Sequence, residues 1–499
     1  MDVIGHLAVG LQAALSPGIL WYCFVGVLMG TLIGVLPGIG PLAAISLLLP
    51  ATFYMSPSEA IVMLAGVYYG AQYGGSTAAI LLRLPGSASS AVACLDGNPM
   101  ARKGQAGVAL FITTIASFFG AITGLVILIL FSPQIATLGL RFGSAEYFSL
   151  MLLGLVAACT FSASPLKGGA MVALGLLISM IGTDVNTGVI RYTFGLQELA
   201  GGLSLVAMAM GIFGLADIVR NIDRIDAKTV QDRFSLRSML PTRGEWRLAL
   251  PAMARGSAMG SFFGTLPGTG TSISAYMAYA AEKKVAKDPS RFGNGAIEGV
   301  SAPEAANNAS AQTAFIPTMT LGIPGDVTMA VILGALILHG ITPGPQLISA
   351  QPELFWGLVV SFIIGNILLL VLNIPLIGVW VSILRVPYRW LYPAILVFIG
   401  VGVFSVSNST FDILTVVVIG AIGHVLVALR FEPAPLLLGF ILGPLMEEHF
   451  RRALLLSRGN LYTFIERPIS ATILALTALA VVLVFLAFVR RNIAAKHIG

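Results

Sequence analysis

The sequence predicts an all-α polytopic membrane protein made of two inverted-topology repeats, with broken helices or re-entrant hairpins at two PGxG motifs. Three observations carry that expectation. The 499 residues are 57% hydrophobic and only 10% charged, with a mean hydropathy of +0.92. Such a chain has too little polar surface for an exterior in water, whereas a bilayer asks for an apolar exterior and about 20 apolar residues per spanning helix. Apolar runs of that order recur along the whole chain, and its two halves repeat one another.

The first half carries runs at about 18–36, 60–82, 105–132, 147–163, 168–182 and 201–219. No basic stretch precedes the first of them, and it is longer than the apolar core of a signal peptide, so it reads as a retained element. The second half carries runs at about 248–266, 300–323, 352–380, 391–407, 411–429, 434–446 and 470–489, with shorter apolar stretches near 41–53, 272–281 and 327–339. Between the halves lies the one long hydrophilic segment, with seven Lys or Arg against four Asp or Glu. This divides the chain into membrane repeat 1 (1–219), a cytoplasmic linker (220–247) and membrane repeat 2 with an extra C-terminal helix (248–499). The net charge of +6 does not point to nucleic acid, because the basic residues are scattered between apolar runs, where Lys and Arg orient membrane helices. Cys23, Cys94 and Cys159 form no CxxC pair and imply neither a disulfide framework nor a metal site.

The repeat is explicit in the residues. GVLMGTLIGVLPGIG at 26–40 answers GSAMGSFFGTLPGTG at 256–270, so that Gly26, Met29, Gly30, Gly34, Leu36, Pro37, Gly38 and Gly40 all recur 230 positions later. LRLPGS at 82–87 answers LGIPGD at 321–326 with an offset of 239, the additional residues falling in the charged loop near 282–291. The charge pattern gives the relative orientation. Repeat 1 has no Lys or Arg before Leu82 and a basic loop after its second element. In repeat 2 basic residues flank the first element and 326–382 contains none. The positive-inside rule then puts equivalent loops on opposite faces. With the N-terminus outside, 21 of the 28 Lys and Arg fall inside and 6 outside, and Arg255 lies within a hairpin. The arginines at 451–467 fit least well.

Each PGxG interrupts an apolar stretch. Proline removes a donor and clashes with a continuing helix, and glycine permits a reversal, so Pro37 and Pro267 open the backbone at membrane depth. Such backbone lines a cavity or is buried in protein. The functional reading aims the half-helix starts at an anion, with Gly38, Gly40, Gly268, Gly270, Thr271 and Ser272 as binding positions and the Ser76 and Thr77 hydroxyls as further donors. The alternative is a kink packed against its neighbours. Pro85-Gly86-Ser87 and Pro324-Gly325-Asp326 repeat the logic at a second pair of breaks.

Two polar stripes follow. Tyr69, Gln72, Tyr73 and Ser76 share one helical face, as do Glu304, Asn307, Asn308 and Gln312. An ionisable residue with amides inside an apolar bundle is a functional-site hypothesis, and interhelical glue is the alternative. Carbonyl oxygens of Asn307 and Asn308 suit a hard cation, with Glu304 holding the asparagines from behind. His339 and His424 read as packed side chains. Enzyme signatures are missing: GIPGD is one residue too long for GxGD, and neither GxSG nor HExxH occurs.

GTLIGVLPGIGP, YYGAQYGGSTAAILLRLPG, LDGNPMARKG, EGVSAPEAANNA, LGIPGD, LHGITPGP and LLLGFILGPLMEEHFRRALLLSRG stand in this order. Together they resemble the large membrane subunit of the tripartite tricarboxylate transporters over essentially the whole chain. That family usually has Asn in place of Arg83, and often Glu or Thr in place of Ser87. The resemblance implies a secondary carrier of the bacterial cytoplasmic membrane, taking up di- or tricarboxylates such as citrate with a coupling ion, Na⁺ or alternatively H⁺. It also implies a small membrane subunit and a periplasmic solute-binding protein as partners, no cofactor, and no metal beyond Na⁺. A non-transporting scaffold or a channel subunit is the competing reading.

Overall fold

A computed structural model describes the chain except for residues 1–2, 37–38, 86, 161–163, 185–186, 222–238, 385–387 and 497–499. The linker centre, Pro37, Gly38 and Gly86 therefore lie outside the described residues. The regular secondary structure of the described residues is helical apart from one two-residue ladder, Gly182–Thr183 against Ile190–Arg191. Repeat 1 begins with α1 (Val3–Ala14), which the sequence reading did not anticipate, and continues through α2 (Pro17–Val35), α3 (Pro41–Leu48), α4 (Pro57–Leu82), α5 (Ala93–Met100) and α6 (Ala106–Gly139). After α7 (Ser144–Thr160) and α8 (Pro165–Ser179), repeat 2 opens with α9 (Arg243–Gly264), α10 (Gly270–Val285), α11 (Glu298–Thr313) and α12 (Phe315–Leu321). It continues through α13 (Val327–Leu338), α14 (Pro352–Asn373), α15 (Tyr388–Ser407), α16 (Thr410–Ala428), α17 (Ala434–Leu456) and α18 (Pro468–Lys496). The single run expected at 300–323 is thus two helices meeting at Ala314. The expected 434–446 segment continues without interruption to Leu456.

Proline occupies the first turn of α2, α3, α4, α8 and α14, where its missing N–H costs nothing. Ser56 with Glu59 and Thr242 with Glu245 form capping boxes that start α4 and α9. Among the described residues four helical segments are long and apolar enough to cross a membrane, by length and composition: Pro17–Val35, Ala93–Gly139, Pro352–Asn373 and Thr410–Ala428. The chain is a multi-pass membrane protein.

The repeat in the sequence is a repeat in packing. Gly26, Gly30 and Gly34 of α2 lie against the backbone at Met63, Val67 and Ala71 of α4. Gly256, Gly260 and Gly264 of α9 lie against Ala302, Ala306 and Ser310 of α11. Every glycine pair keeps the offset of 230, and every facing pair the offset of 239. A Cβ on Gly30 would sit 2.5 Å from the Val67 carbonyl oxygen. Small residues every fourth position are what lets two backbones approach this closely inside a membrane. The next long helix of each repeat then crosses to the other: α6 packs on α11 through Gly120 and Gly124, and α14 packs on α4, with Tyr73 donating to Asn366 Oδ1 at 3.2 Å. As a result α11 is buried along its whole length and α4 from Ala60 to Leu81. These two helices carry the polar stripes, so the stripes face protein rather than lipid.

A second tie joins the repeats at the loop before α11. Asp96 of α5, fully buried, accepts main-chain N–H bonds from Gly293, Gly295 and Ala296, each at 2.8 Å, and the Tyr279 hydroxyl at 2.9 Å.

Because the two glycine ladders are equivalent, Gly30→Ala and Gly260→Ala are expected to destabilise by similar amounts, each about 1–3 kcal/mol, through overpacking. Gly169→Ala, whose Cβ would meet nothing within 4 Å, is expected to leave stability unchanged. Thermal unfolding of the purified protein in detergent measures all three.

Candidate functional site

The breaks of repeat 2 are locked to each other. Pro267 ends the run from α9, and the chain turns through Gly268 (φ 82°) and Gly270 (φ 67°), both in the left-handed region that glycine adopts without strain. The Gly268 N–H donates to the Gly325 carbonyl at 2.8 Å, so the PGxG and Pro-Gly-Asp breaks face one another. Asp326 caps α13, its Oδ1 accepting from the Met329 N–H at 2.8 Å, while Tyr68 of repeat 1 donates to Oδ2 at 3.1 Å. In repeat 1 the corresponding second break ends α4 at Arg83, whose φ of 57° is left-handed, a conformation that asparagine tolerates better than most residues. Beyond it Ser87 and Ser90 hydrogen-bond to each other, and Ser89 Oγ donates to Gln72 Oε1 at 3.1 Å.

These elements enclose a cavity of about 830 Å³. Four helices begin on its wall: α3 at Pro41, α10 at Gly270, α13 at Val327 and α17 at Ala434. The first-turn N–H groups of a helix have no intrahelical acceptor and sit at the positive end of its dipole. At α10 and α13 the Thr271, Thr328 and Met329 N–H groups already donate to the Asp326 carboxyl, which leaves the starts of α3 and α17 to favour an anion, and no Lys, Arg or His among the described residues lines the cavity. Asp326 and Glu432 line it as well, so the donor field works against two carboxyl groups.

Of the positions read from sequence, Gly40, Gly268, Gly270, Thr271 and Ser272 line this cavity together. Ser76 and Thr77 do not. Ser76 instead donates to Glu304 Oε1 at 2.6 Å, and Ser117 donates to Oε2 at 3.3 Å. Glu304 therefore does not hold the asparagine side chains with its carboxylate. Asn308 Nδ2 donates to the Glu304 main-chain carbonyl at 3.1 Å, and Asn307 Nδ2 donates to Gln72 Oε1 at 3.3 Å. Oδ1 of both asparagines is buried with no protein donor, as are both polar atoms of Gln312. Such atoms are costly unless a ligand or water meets them.

Asp326, Thr328 and the start of α17 were missed as wall residues. The signals were present but local: Asp before an apolar run is a helix-start pattern, and Glu432-Pro433-Ala434-Pro435 is another. His339, read as a packed side chain, contacts Thr52 Oγ1 through Nε2 at 3.1 Å.

Helices broken at matching positions of two repeats, around a shared cavity, define the class of multi-pass membrane transporters. The chain belongs to the tripartite tricarboxylate transporter TctA family, which it matches over residues 20–438. A protein of Agrobacterium vitis described as an uncharacterized 52.8 kDa protein in the TAR-I ttuC' 3' region is 49% identical over 492 residues, 98% of either chain. A second from the same organism, described as an uncharacterized protein in the TAR-II ttuC' 3' region, is 53% identical over 231 residues, 46% of this chain and 96% of its own. No solved structure matches.

Ser272→Cys, in a chain with Cys23, Cys94 and Cys159 replaced, is expected to react with a small anionic thiol reagent faster than with its cationic analogue, since the helix starts favour negative charge. Thr77→Cys, outside the cavity wall, is expected to stay unlabelled by either. Labelling followed by mass shift reads both.

Proposed function

We propose that this chain is the carrier subunit of a secondary transporter in the bacterial cytoplasmic membrane, taking up di- or tricarboxylates such as citrate with an ion, Na⁺ in first place. The observation that carries this is the convergence of four helix starts on one cavity of about 830 Å³ that has no basic side chain among its described residues. That volume lies in the range of small-molecule sites, about 300–1,000 Å³. Main-chain N–H groups and the hydroxyls of Thr271 and Ser272 recognise carboxylates, which accept hydrogen bonds only. The buried Oδ1 atoms of Asn307 and Asn308 supply the neutral oxygens a hard cation prefers, and the Glu304 carboxyl one turn away supplies charge. The charge pattern of the two repeats supports an inverted arrangement around the cavity, with a small membrane subunit and a periplasmic binding protein as the partners the family implies.

Uptake of labelled citrate, malate and succinate into proteoliposomes holding all three components tests the reading. Accumulation that collapses when the sodium gradient is removed is the expected result. Uptake indifferent to every ion gradient would make the chain a channel, and none at all a scaffold. Thr271→Ala is expected to raise the half-saturating substrate concentration about 10-fold or more, the worth of one hydrogen bond to a charged group. Asn308→Ala is expected to raise the sodium requirement while leaving delivery by the binding protein intact. Cysteines placed in the 283–291 loop and the 220–247 linker are expected to label from the same, cytoplasmic, face.

A further inference from the structure

We propose that Gln72 couples the cation to the substrate, its carboxamide orientation being set by Asn307 on one side and setting Thr271 on the other. This rests on the assignment of the cavity to a carboxylate and of Asn307 to a cation. Gln72 is buried in α4, with both ends of its side chain engaged across the repeat interface. Oε1 accepts from Asn307 Nδ2 at 3.3 Å and from Ser89 Oγ at 3.1 Å, and Nε2 donates to Thr271 Oγ1 at 3.4 Å. Tyr68 and Ser76, one turn to either side, reach Asp326 and Glu304. Among the described residues, Gln72 is thus the rung of this face that touches both Asn307 and a hydroxyl of the cavity wall.

The chemistry follows from the asymmetry of amides. A cation is held by Asn307 Oδ1, the atom without a protein donor, and this leaves Nδ2 pointing at Gln72. Gln72 must answer with oxygen, so its N–H₂ faces Thr271. The Thr271 oxygen then accepts a hydrogen bond, and its own proton can turn from the neighbouring Tyr68 hydroxyl oxygen to a carboxylate in the cavity. With the carboxamide of Gln72 turned over, its oxygen draws the Thr271 proton and leaves lone pairs facing the anion. Cation occupancy therefore selects the orientation in which Thr271 donates, and the anion selects the same orientation in return, because coupling between two sites is reciprocal. Nothing covalent changes and no proton is transferred.

The test uses the full chain, purified, with thermal unfolding titrated by citrate, malate, succinate or tartrate, in sodium chloride and in N-methylglucamine chloride. The wild-type protein is expected to half-saturate at a lower acid concentration in sodium, by a factor in the range of about 5–150 typical of coupled sites. Gln72→Ala is expected to bring that factor close to one, with sodium binding retained and acid binding weakened in both salts alike, since Gln72 lines the cavity. Gln72→Met, of similar length and without polar atoms, gives the same readout if the alanine variant does not fold. Ser89→Ala removes the other partner of Oε1 and is expected to keep the factor. An unchanged factor in both Gln72 variants overturns the relay and leaves the transport reading standing. A wild-type protein that no acid stabilises overturns the transport reading and the relay with it, and one that responds identically in the two salts overturns the sodium assignment and the relay.

Discussion

Backbone-on-backbone contact between α2 and α4, and again between α9 and α11, is the constraint on which the rest of this molecule depends. Three glycines at four-residue spacing let each pair close to a separation that a single methyl group would prevent. Once closed, and crossed by α6 and α14, the inner helices have protein on every side. Only there does hydrocarbon tolerate the glutamate, the asparagines and the glutamine they carry, because each polar group left facing lipid would cost several kcal/mol. The breaks at Pro267 and Pro324 depend on the same enclosure: Gly268 and Gly325 satisfy one another across the gap instead of facing lipid tails.

Much of this was legible because membrane packing writes itself into sequence at short range. The glycine spacing, the recurrence of eight positions in fifteen, and the polar stripes of α4 and α11 are all local patterns, and each corresponds to one helix face in the structure. What was not legible involves elements far apart in the chain. The sequence pointed to half-helix starts after both PGxG motifs and repeated the logic at Pro324-Gly325-Asp326; the start of α17 at Ala434, which joins them on the cavity wall, was not read. Ser76 shared a face with Gln72, but periodicity says which side of a helix a residue occupies and not which neighbour stands opposite, and the neighbour is Glu304.

Three of the four arginines at 451–467 that fitted the charge rule poorly are held by carboxylates. Arg451 pairs with Asp184 and Glu447, Arg452 with Glu448, and Arg467 with Glu146, while Arg191 bridges Asp184 and Glu447. The rule counts Lys and Arg and gives Asp and Glu little weight, so these pairs do not cancel the misfit; they show what holds the arginines in place.

Asp96 has a mechanical consequence. Its carboxylate comes from repeat 1, and all four donors that neutralise it come from repeat 2. Pulling α5 away from that loop would strand a buried charge, and a buried charge stripped of its partners is among the costliest states a protein can visit. The two repeats are therefore riveted at this point. Any motion that exposes the cavity first to one side of the membrane and then to the other has to treat α5 and the 293–296 loop as one piece, and to find its compliance elsewhere.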